Sequence, residues 1–401
     1  MRALLVSYGS RGDVQPLAGL ALRLRDLGVE ARVCAPPDEE FAALFAGIGV
    51  PLVPFGPSVR GLVTRKGPPA DSAAALAAEM VAAHFGPVAA AAEGCDAVLA
   101  AGMLPAGVRS VAEKRGVPYV YACYHPFSLP SPHYPPLPRA GRPHPAGAAD
   151  NRSLWDADAA IMHGLYGAPL NAHRSAAGLP PVDDVCRHAY TDRPWLAADP
   201  VLGPWGELPD PDVVQTGAWV LPDDRPLPPE LAAFLDAGTP PVYVGFGSMP
   251  MSTPDATRTA VEAARALGRR VVVSSGWADR DGVAAGDDCL AVGETNLQAL
   301  FGRVAAVVHR GGAGTTWTAA RAGAPQVVVP QLTDERWWAA QVAELGIGAA
   351  EDPAPTFASL SAALGKVLTP GTAARAKAAA DTVRTDGAAV AARLLRDLIG
   401  N

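Results

Sequence analysis

The sequence predicts two α/β domains in tandem, each a parallel sheet covered by helices. Three observations lead there. At 401 residues the chain is too long for one average domain, and two of about 200 residues are the natural division. Short apolar strands alternate with helix-forming stretches in both halves, the pattern of parallel sheets buried on both faces. Each half also opens with a strand that runs into a glycine turn: Gly9-Ser10-Arg11-Gly12-Asp13 in the first, Gly245-Phe246-Gly247-Ser248 in the second.

Taken in order, residues 2–7 read as a strand, 16–27 as a helix with apolar residues at helical spacing, and 30–35 as a second strand. Residues 71–92 are strongly helical, 96–100 a short buried strand, 106–114 a helix and 118–123 another strand. The stretch 125–145 holds eight prolines, which excludes a helix or central strand. It reads as a long ligand-facing surface loop carrying His125, Phe127 and Tyr134. A second proline-rich stretch, 205–229, reads as a linker, so the domains are 1–204 and 230–401. Alternation then resumes with strands at 241–246 and 270–274 around a helix at 255–266. The tail from about residue 372 to 399 reads as helix to its end, with the last helix expected to pack back on the first domain. The two halves share one alternation, so both domains read as Rossmann-like.

Composition excludes some functions. Nearly half the residues are apolar (49%) and 18% charged, which suits a globular protein with full cores. A net charge of −7, with no basic cluster, argues against nucleic acid as a partner. Cys34, Cys95, Cys123, Cys186 and Cys289 are scattered and odd in number, which suits reduced thiols in a cytoplasm. No secretory signal is read at the start, and charge or glycine interrupts every apolar run before about 20 residues, so no membrane span is expected.

The most informative segment is 305–335. Strand AAVVH feeds Arg310-Gly311-Gly312-Ala313-Gly314-Thr315, a helix start follows, and a second strand ends in Asp334-Glu335. A glycine turn opening a helix offers backbone N–H groups and a partial positive charge to an anion. With His309 as a cation at its mouth and two carboxylates nearby, this is the layout of a site for a diphosphate joined to a sugar. In the first half, Ser10 and Arg11 could hold an anion and Asp13 could act as a general base; Asp13 capping the following helix explains the turn about as well. Zinc spacings, a G-x-S-x-G elbow and a Walker motif are absent. Asp156/Asp158 and Asp210/Asp212 do not follow apolar strands, so no metal site is expected.

GSRGDVQPL, the phrase VQTGAWVLPDDRPLPPELAAFLDAGTPPVYVGFGS, and HRGGAGTT with PQLTDE carry a resemblance that spans essentially the whole chain. The sequence resembles family 1 glycosyltransferases of the GT-B fold, in the bacterial branch that decorates antibiotics, nearest the glycopeptide (vancomycin- and teicoplanin-type) group. The resemblance implies two Rossmann-like domains facing across a cleft, with hinge closure near the linker. It implies Asp13 as the base that takes the acceptor proton. Ser10, Arg11, Ser248, His309, Gly311, Gly312, Gly314 and Thr315 would contact the donor diphosphate. Trp277 and Val292 would pack around base and ribose, and Asp334 and Glu335 would face the donor sugar, with His125, Phe127 and Tyr134 toward the acceptor. Three positions depart from the family: Glu335 stands for its usual Gln, Arg310 for its second His, and Ser275 for an Arg.

The implied reaction is an inverting, metal-independent transfer of a hexose from a dTDP- or UDP-sugar to a hydroxyl of a natural-product aglycone, foremost a glycopeptide heptapeptide. The nucleotide sugar is a co-substrate and no cofactor is implied; the enzyme is expected to act as a monomer. Competing readings are a lipid- or sterol-like or other secondary-metabolite acceptor, a nucleotide-sugar epimerase on the same fold, and a non-catalytic biosynthetic partner. The aromatic, proline-rich 125–145 stretch argues against an epimerase. The presence of both Asp13 and His309 argues against a non-catalytic partner.

Overall fold

The computed structural model describes residues 1–400 except 65–72, 140–143, 145–146, 148–149, 207–211, 248–250, 252, 254 and 275–285. The chain forms two compact units: Met1–Leu221 with Arg384–Asn401, and Pro222–Val383.

The first unit is built on strands β1 (Arg2–Tyr8), β2 (Glu30–Ala35), β3 (Leu52–Pro54), β4 (Ala97–Gly102), β5 (Tyr119–Cys123), β6 (Trp195–Leu196) and β7 (Val214–Gln215). They form one sheet in the order β3-β2-β1-β4-β5-β6-β7, every neighbouring pair parallel. Successive side chains of a strand point to opposite faces. In β1, Ala3 and Leu5 therefore enter one core while Leu4, Val6 and Tyr8 enter another. Both faces are covered, which is why the strand reads as an unbroken apolar run.

The helix after β1 spans Arg11–Asp26, starting five residues before the expected Pro16. The physical reason is a cap: the Ser10 N–H donates to Asp13 Oδ2 at 2.8 Å, so the end of GSRGD is already the first helical turn. The stretch Ala73–Ala91 is long and apolar enough, by length and composition, to cross a membrane, contrary to the expectation from sequence. It carries Glu79, is rewound as a π turn at His84–Val88 around Pro87, and packs on helix Asn151–Ala176. Its Ala77, Met80, Val81, His84 and Val88 are buried, so one face of it lines the core of this unit.

The first unit also takes in β7 and the buried Trp219, whose Nε1–H donates to Thr216 Oγ1 at 2.9 Å. The sequence reading placed these residues in the linker. The tail is two helices, Pro370–Ala380 and Gly387–Gly400, rather than one. Asp199, 2% exposed, marks the return to the first unit: its Oδ2 accepts the Arg384 N–H at 2.7 Å while Oδ1 accepts the N–H of Val201 at 2.9 Å. Ala388, Ala391, Ala392 and Leu395 of the last helix then enter the core beneath helix Arg11–Asp26.

The second unit holds β8 (Val242–Val244), β9 (Val271–Ser274), β10 (Cys289–Val292), β11 (Ala306–His309), β12 (Gln326–Val328) and β13 (Gly348–Ala350). Their order is β10-β9-β8-β11-β12-β13, again all parallel. Val242, Val244, Val271 and Val308 face one core and Tyr243, Val272 and Val307 the other.

Candidate active site

In open parallel α/β sheets, ligands bind beyond the carboxyl ends of the strands, at the point where strand order reverses. In the first unit that point lies between β1 and β4, and Asp13 is found there. Its Oδ2 accepts the Ser10 N–H at 2.8 Å and the Ser10 hydroxyl at 3.3 Å. Its carbonyl accepts Ser7 Oγ–H and Tyr124 O–H, each at 3.0 Å, which ties it to β1 and to the end of β5. The space around the carboxylate depends on two glycines. A Cβ at Gly9 (φ +153°) would meet Asp13 Oδ2 at 2.2 Å, and one at Gly102 (φ +80°) would meet Ser7 Oγ at 2.8 Å and Asp13 Cβ at 3.4 Å. Only glycine suits either place. Arg11 is exposed on the same first turn, with its Nε–H on Gln15 Oε1 at 2.8 Å.

The 125–145 loop begins at the end of β5, so His125 and Phe127 stand on this same edge. Their rings stack at 5.0 Å, and the His125 Nδ1 lies 3.4 Å from Ser128 Oγ. Phe127 is buried, and burial lowers the His125 pKa to about 4, so the imidazole is neutral at pH 7. Tyr134 is half-buried, donates to the Pro204 carbonyl at 3.2 Å, and accepts from Trp155 Nε1 through its own carbonyl at 2.8 Å. The described part of the loop is thus fastened to helix Asn151–Ala176, also through Arg139, whose Nε and Nη2 each meet a carboxylate oxygen of Asp158 at 2.8 Å. Asp158 of the first D-x-D spelling is so engaged. Sequence reasoning missed a small apolar cavity lined by Ser7, Tyr8, Phe55, Met80, His84, Met103 and Tyr166. Five separate segments of the chain bring these residues together, so no local motif marks them.

In the second unit the strand order reverses between β8 and β11, and the turn after β11 lies there. Helix Ala313–Arg321 begins with Gly312 as its N-cap, which has no side chain to cap it, and among the described residues no side chain accepts from its first-turn N–H groups. Gly312, Ala313, Gly314 and Thr315 are at least partly accessible. Gly311 is buried beneath them at φ +102°; a Cβ there would meet Val328 Cγ1 at 2.7 Å and the Glu335 carbonyl at 3.1 Å.

His309 differs from its expected role as a cation. It is 1% exposed, and burial lowers its pKa to about 4 against a smaller raising effect from Gln326. Its Nδ1 accepts the Gly311 N–H at 3.1 Å and its Nε2 lies 2.9 Å from Gln326 Oε1, which assigns the proton to Nε2. The last residue of β11 points inward, and the imidazole braces the turn as a neutral group.

Glu335 is corrected as well: its carboxylate does not lie open for a sugar. Oε1 accepts Arg310 Nε–H at 2.5 Å, and Oε2 accepts the N–H groups of Gln331 and Leu332 at 2.7 and 2.9 Å. Helix Thr333–Glu344 therefore starts one residue before Asp334, which is not its N-cap but its second residue. Asp334 stays half-buried at the helix N-terminus, with its pKa raised by burial and partly restored by the N–H groups of Asp334 and Glu335 and by Arg310. Val292 ends β10 with its side chain buried in the core cluster that holds Tyr243, Leu300 and Phe301. Trp338 is buried and Trp337 packs edge-on against it at 4.7 Å. Ser248 and Trp277 lie outside the described residues. Among the described residues no cluster of three or more His, Cys, Asp or Glu side chains could hold a metal ion.

Comparison with known proteins agrees with this architecture. Residues 258–392 match the family described as erythromycin biosynthesis protein CIII-like, C-terminal domain. Vancomycin aglycone glucosyltransferase of Amycolatopsis orientalis is 56% identical over 403 aligned residues, covering 100% of this chain and 98% of the relative. The dTDP-epi-vancosaminyltransferase of the same organism is 50% identical, covering 94% and 92%. Among solved structures, the kitacinnamycin glycotransferase superposes with a TM-score of 0.73 at 20% identity, covering 99% and 98% of the two chains. The spinosyn forosaminyltransferase does so with 0.72 at 19%, covering both chains fully (100%). These likenesses establish the GT-B fold, and with identity above half over its full length the chain belongs to the family 1 bacterial antibiotic glycosyltransferases and is a glycosyltransferase.

Proposed function

We propose that the protein transfers a hexose from a dTDP- or UDP-sugar to a hydroxyl of a glycopeptide aglycone, with inversion at the anomeric carbon and no metal. The observation that carries the reading is the pair of half-sites at equivalent points of the two sheets. One holds a carboxylate, Asp13, at the end of β1; the other holds a helix N-terminus capped by Gly312 with Asp334 on the neighbouring helix start. The acceptor class is taken from the vancomycin aglycone glucosyltransferase, 56% identical. A dTDP donor is favoured by the name of the 50%-identical epi-vancosaminyl relative.

In this reading Asp13 draws the proton from the acceptor hydroxyl as that oxygen attacks the anomeric carbon, and the nucleoside diphosphate leaves from the opposite face. An aspartate is a weak base, so its contribution lies in placement and in taking the proton late. The charge on the leaving diphosphate is met by the N–H groups of the Gly312–Thr315 turn, fixed dipoles that need no rearrangement during the reaction. His309 holds that turn in shape as a neutral imidazole. Asp334 accepts hydrogen bonds from the hexose hydroxyls. Donor contacts from Ser10, Arg11, Ser248 and Trp277 belong to the same proposal, with the acceptor against the His125–Tyr134 loop.

Mass spectrometry of products from an array of nucleotide sugars and vancomycin-type aglycones, with and without EDTA, tests this. The expected result is one added hexose, unaffected by the chelator. No transfer to any glycopeptide aglycone contradicts the acceptor class, and loss of activity in EDTA contradicts the metal-free reaction.

A further inference from the structure

Arg310 and Glu335 lie 25 residues apart in sequence. The fold brings them together. Arg310 Nε–H donates to Glu335 Oε1 at 2.5 Å, with side chains 10% and 5% exposed. Glu335 Oε2 is occupied by the N–H groups of Gln331 and Leu332, so both carboxylate oxygens are committed within the protein. Among the described residues the buried Arg310 Nη1 finds no acceptor, which leaves Glu335 as the carboxylate that hydrogen-bonds the guanidinium.

The position of the pair in the chain gives it a role. Arg310 immediately precedes Gly311 of the phosphate turn, and Glu335 immediately follows Asp334. Backbone packing joins the same two segments, since Gly311 lies so close to residue 335 that a Cβ would meet its carbonyl at 3.1 Å. One ion pair thus links the segment proposed to hold the donor's diphosphate to the one proposed to hold its sugar. The same guanidinium opposes the rise in the Asp334 pKa that burial causes.

We propose that Arg310 and Glu335 are a coupled positioning pair that sets the spacing between the phosphate turn and Asp334, and that Glu335 is not a ligand of the donor sugar. The inference rests on the donor site proposed above. Glu335 supplies the negative charge that a buried guanidinium at 310 requires. A glutamine at 335 beside Arg310 would leave a buried cation unpaired. A histidine at 310 beside Glu335 would weaken the pairing of a buried carboxylate.

The test is a double-mutant cycle of Arg310→His, Glu335→Gln and the double variant, which removes the ion pair from one side, from the other and from both. Donor KM, kcat, donor-sugar ranking and melting temperature are measured for all four proteins. Each single substitution is expected to raise donor KM about tenfold, with a smaller change in kcat, and to lower the melting temperature; a tenfold coupling is well within the range for contacting residues. The double variant is expected to return to within about threefold of the starting KM, at the tenfold scale set by such couplings. The ranking of donor sugars stays the same throughout. Independent, multiplying losses overturn the proposal, as does a double variant that folds no better than the worse single. A change in sugar ranking from Glu335→Gln alone, with Arg310 intact, also overturns it. If the unsubstituted protein is inert with every nucleotide sugar, the transfer reading itself fails and this inference fails with it.

Discussion

Burial decides the chemistry of single residues here more than their identity does. His309 stands in a motif that invites a cation, yet as a fully buried ring with both nitrogens engaged it is neutral. Burial also lowers the pKa values of His84, His125 and His188, to about 3, about 4 and about 4. A histidine in the unfolded chain titrates near about 6.5, so below that pH the unfolded state takes up protons that the folded state refuses. Stability from these groups is complete above about pH 6.5 and is lost as pH falls toward about 4, at up to about 1.4 kcal/mol per pH unit for each histidine. Melting temperatures should therefore be level from pH 7 to 8 and fall steadily from about pH 6.5 to about 4.5. A level profile through the lower interval would show that these rings accept protons in the folded state. Glu335 teaches the same lesson: its residue type suggested a sugar ligand, and its neighbours make it an ion-pair partner.

At the scale of the element, the strand–turn–helix units were legible because they are local. Apolar runs mark β1 and β11, glycines mark the turns, and periodicity marks the helices that follow. What lay beyond reach depended on distant contacts. Nothing around residue 310 announces residue 335. The early start of the first helix depends on a carboxylate turning back to Ser10, and the split in the tail on Asp199, 185 residues before Arg384. The turn after β11 offers a test of its own. Gly311→Ala combines an unfavourable φ with contacts at 2.7 and 3.1 Å, a strain of about 1–3 kcal/mol. Gly312→Ala, at φ −60° with nothing within 4 Å of the added Cβ, carries neither. The first should lower the melting temperature and weaken dTDP binding about tenfold or more by calorimetry, at about 1.4 kcal/mol per decade; the second should leave the melting temperature unchanged. Equal effects at the two positions would mean that the turn tolerates a Cβ at 311 and is not the rigid cradle described.

For the molecule as a whole, the account assigns the two units different tasks: acceptor activation at the β1/β4 edge of the first, donor binding at the β8/β11 edge of the second. The two sheets share one plan, which is why repeated alternation in the sequence was enough to predict both. The division of labour rests on Asp13. Its carboxylate caps a helix as well, so loss of the side chain would confound catalysis with a capping loss of about 1 kcal/mol. Asp13→Asn avoids this, because an amide oxygen can still accept the Ser10 N–H while the side chain no longer takes a proton. The most direct measurement is therefore the transfer rate of Asp13→Asn beside its affinity for the nucleoside diphosphate. The account predicts a fall in kcat of about 10²–10⁴-fold, the range for loss of a general base, with nucleotide affinity nearly unchanged. Parallel loss of both, or transfer at the original rate, would contradict it.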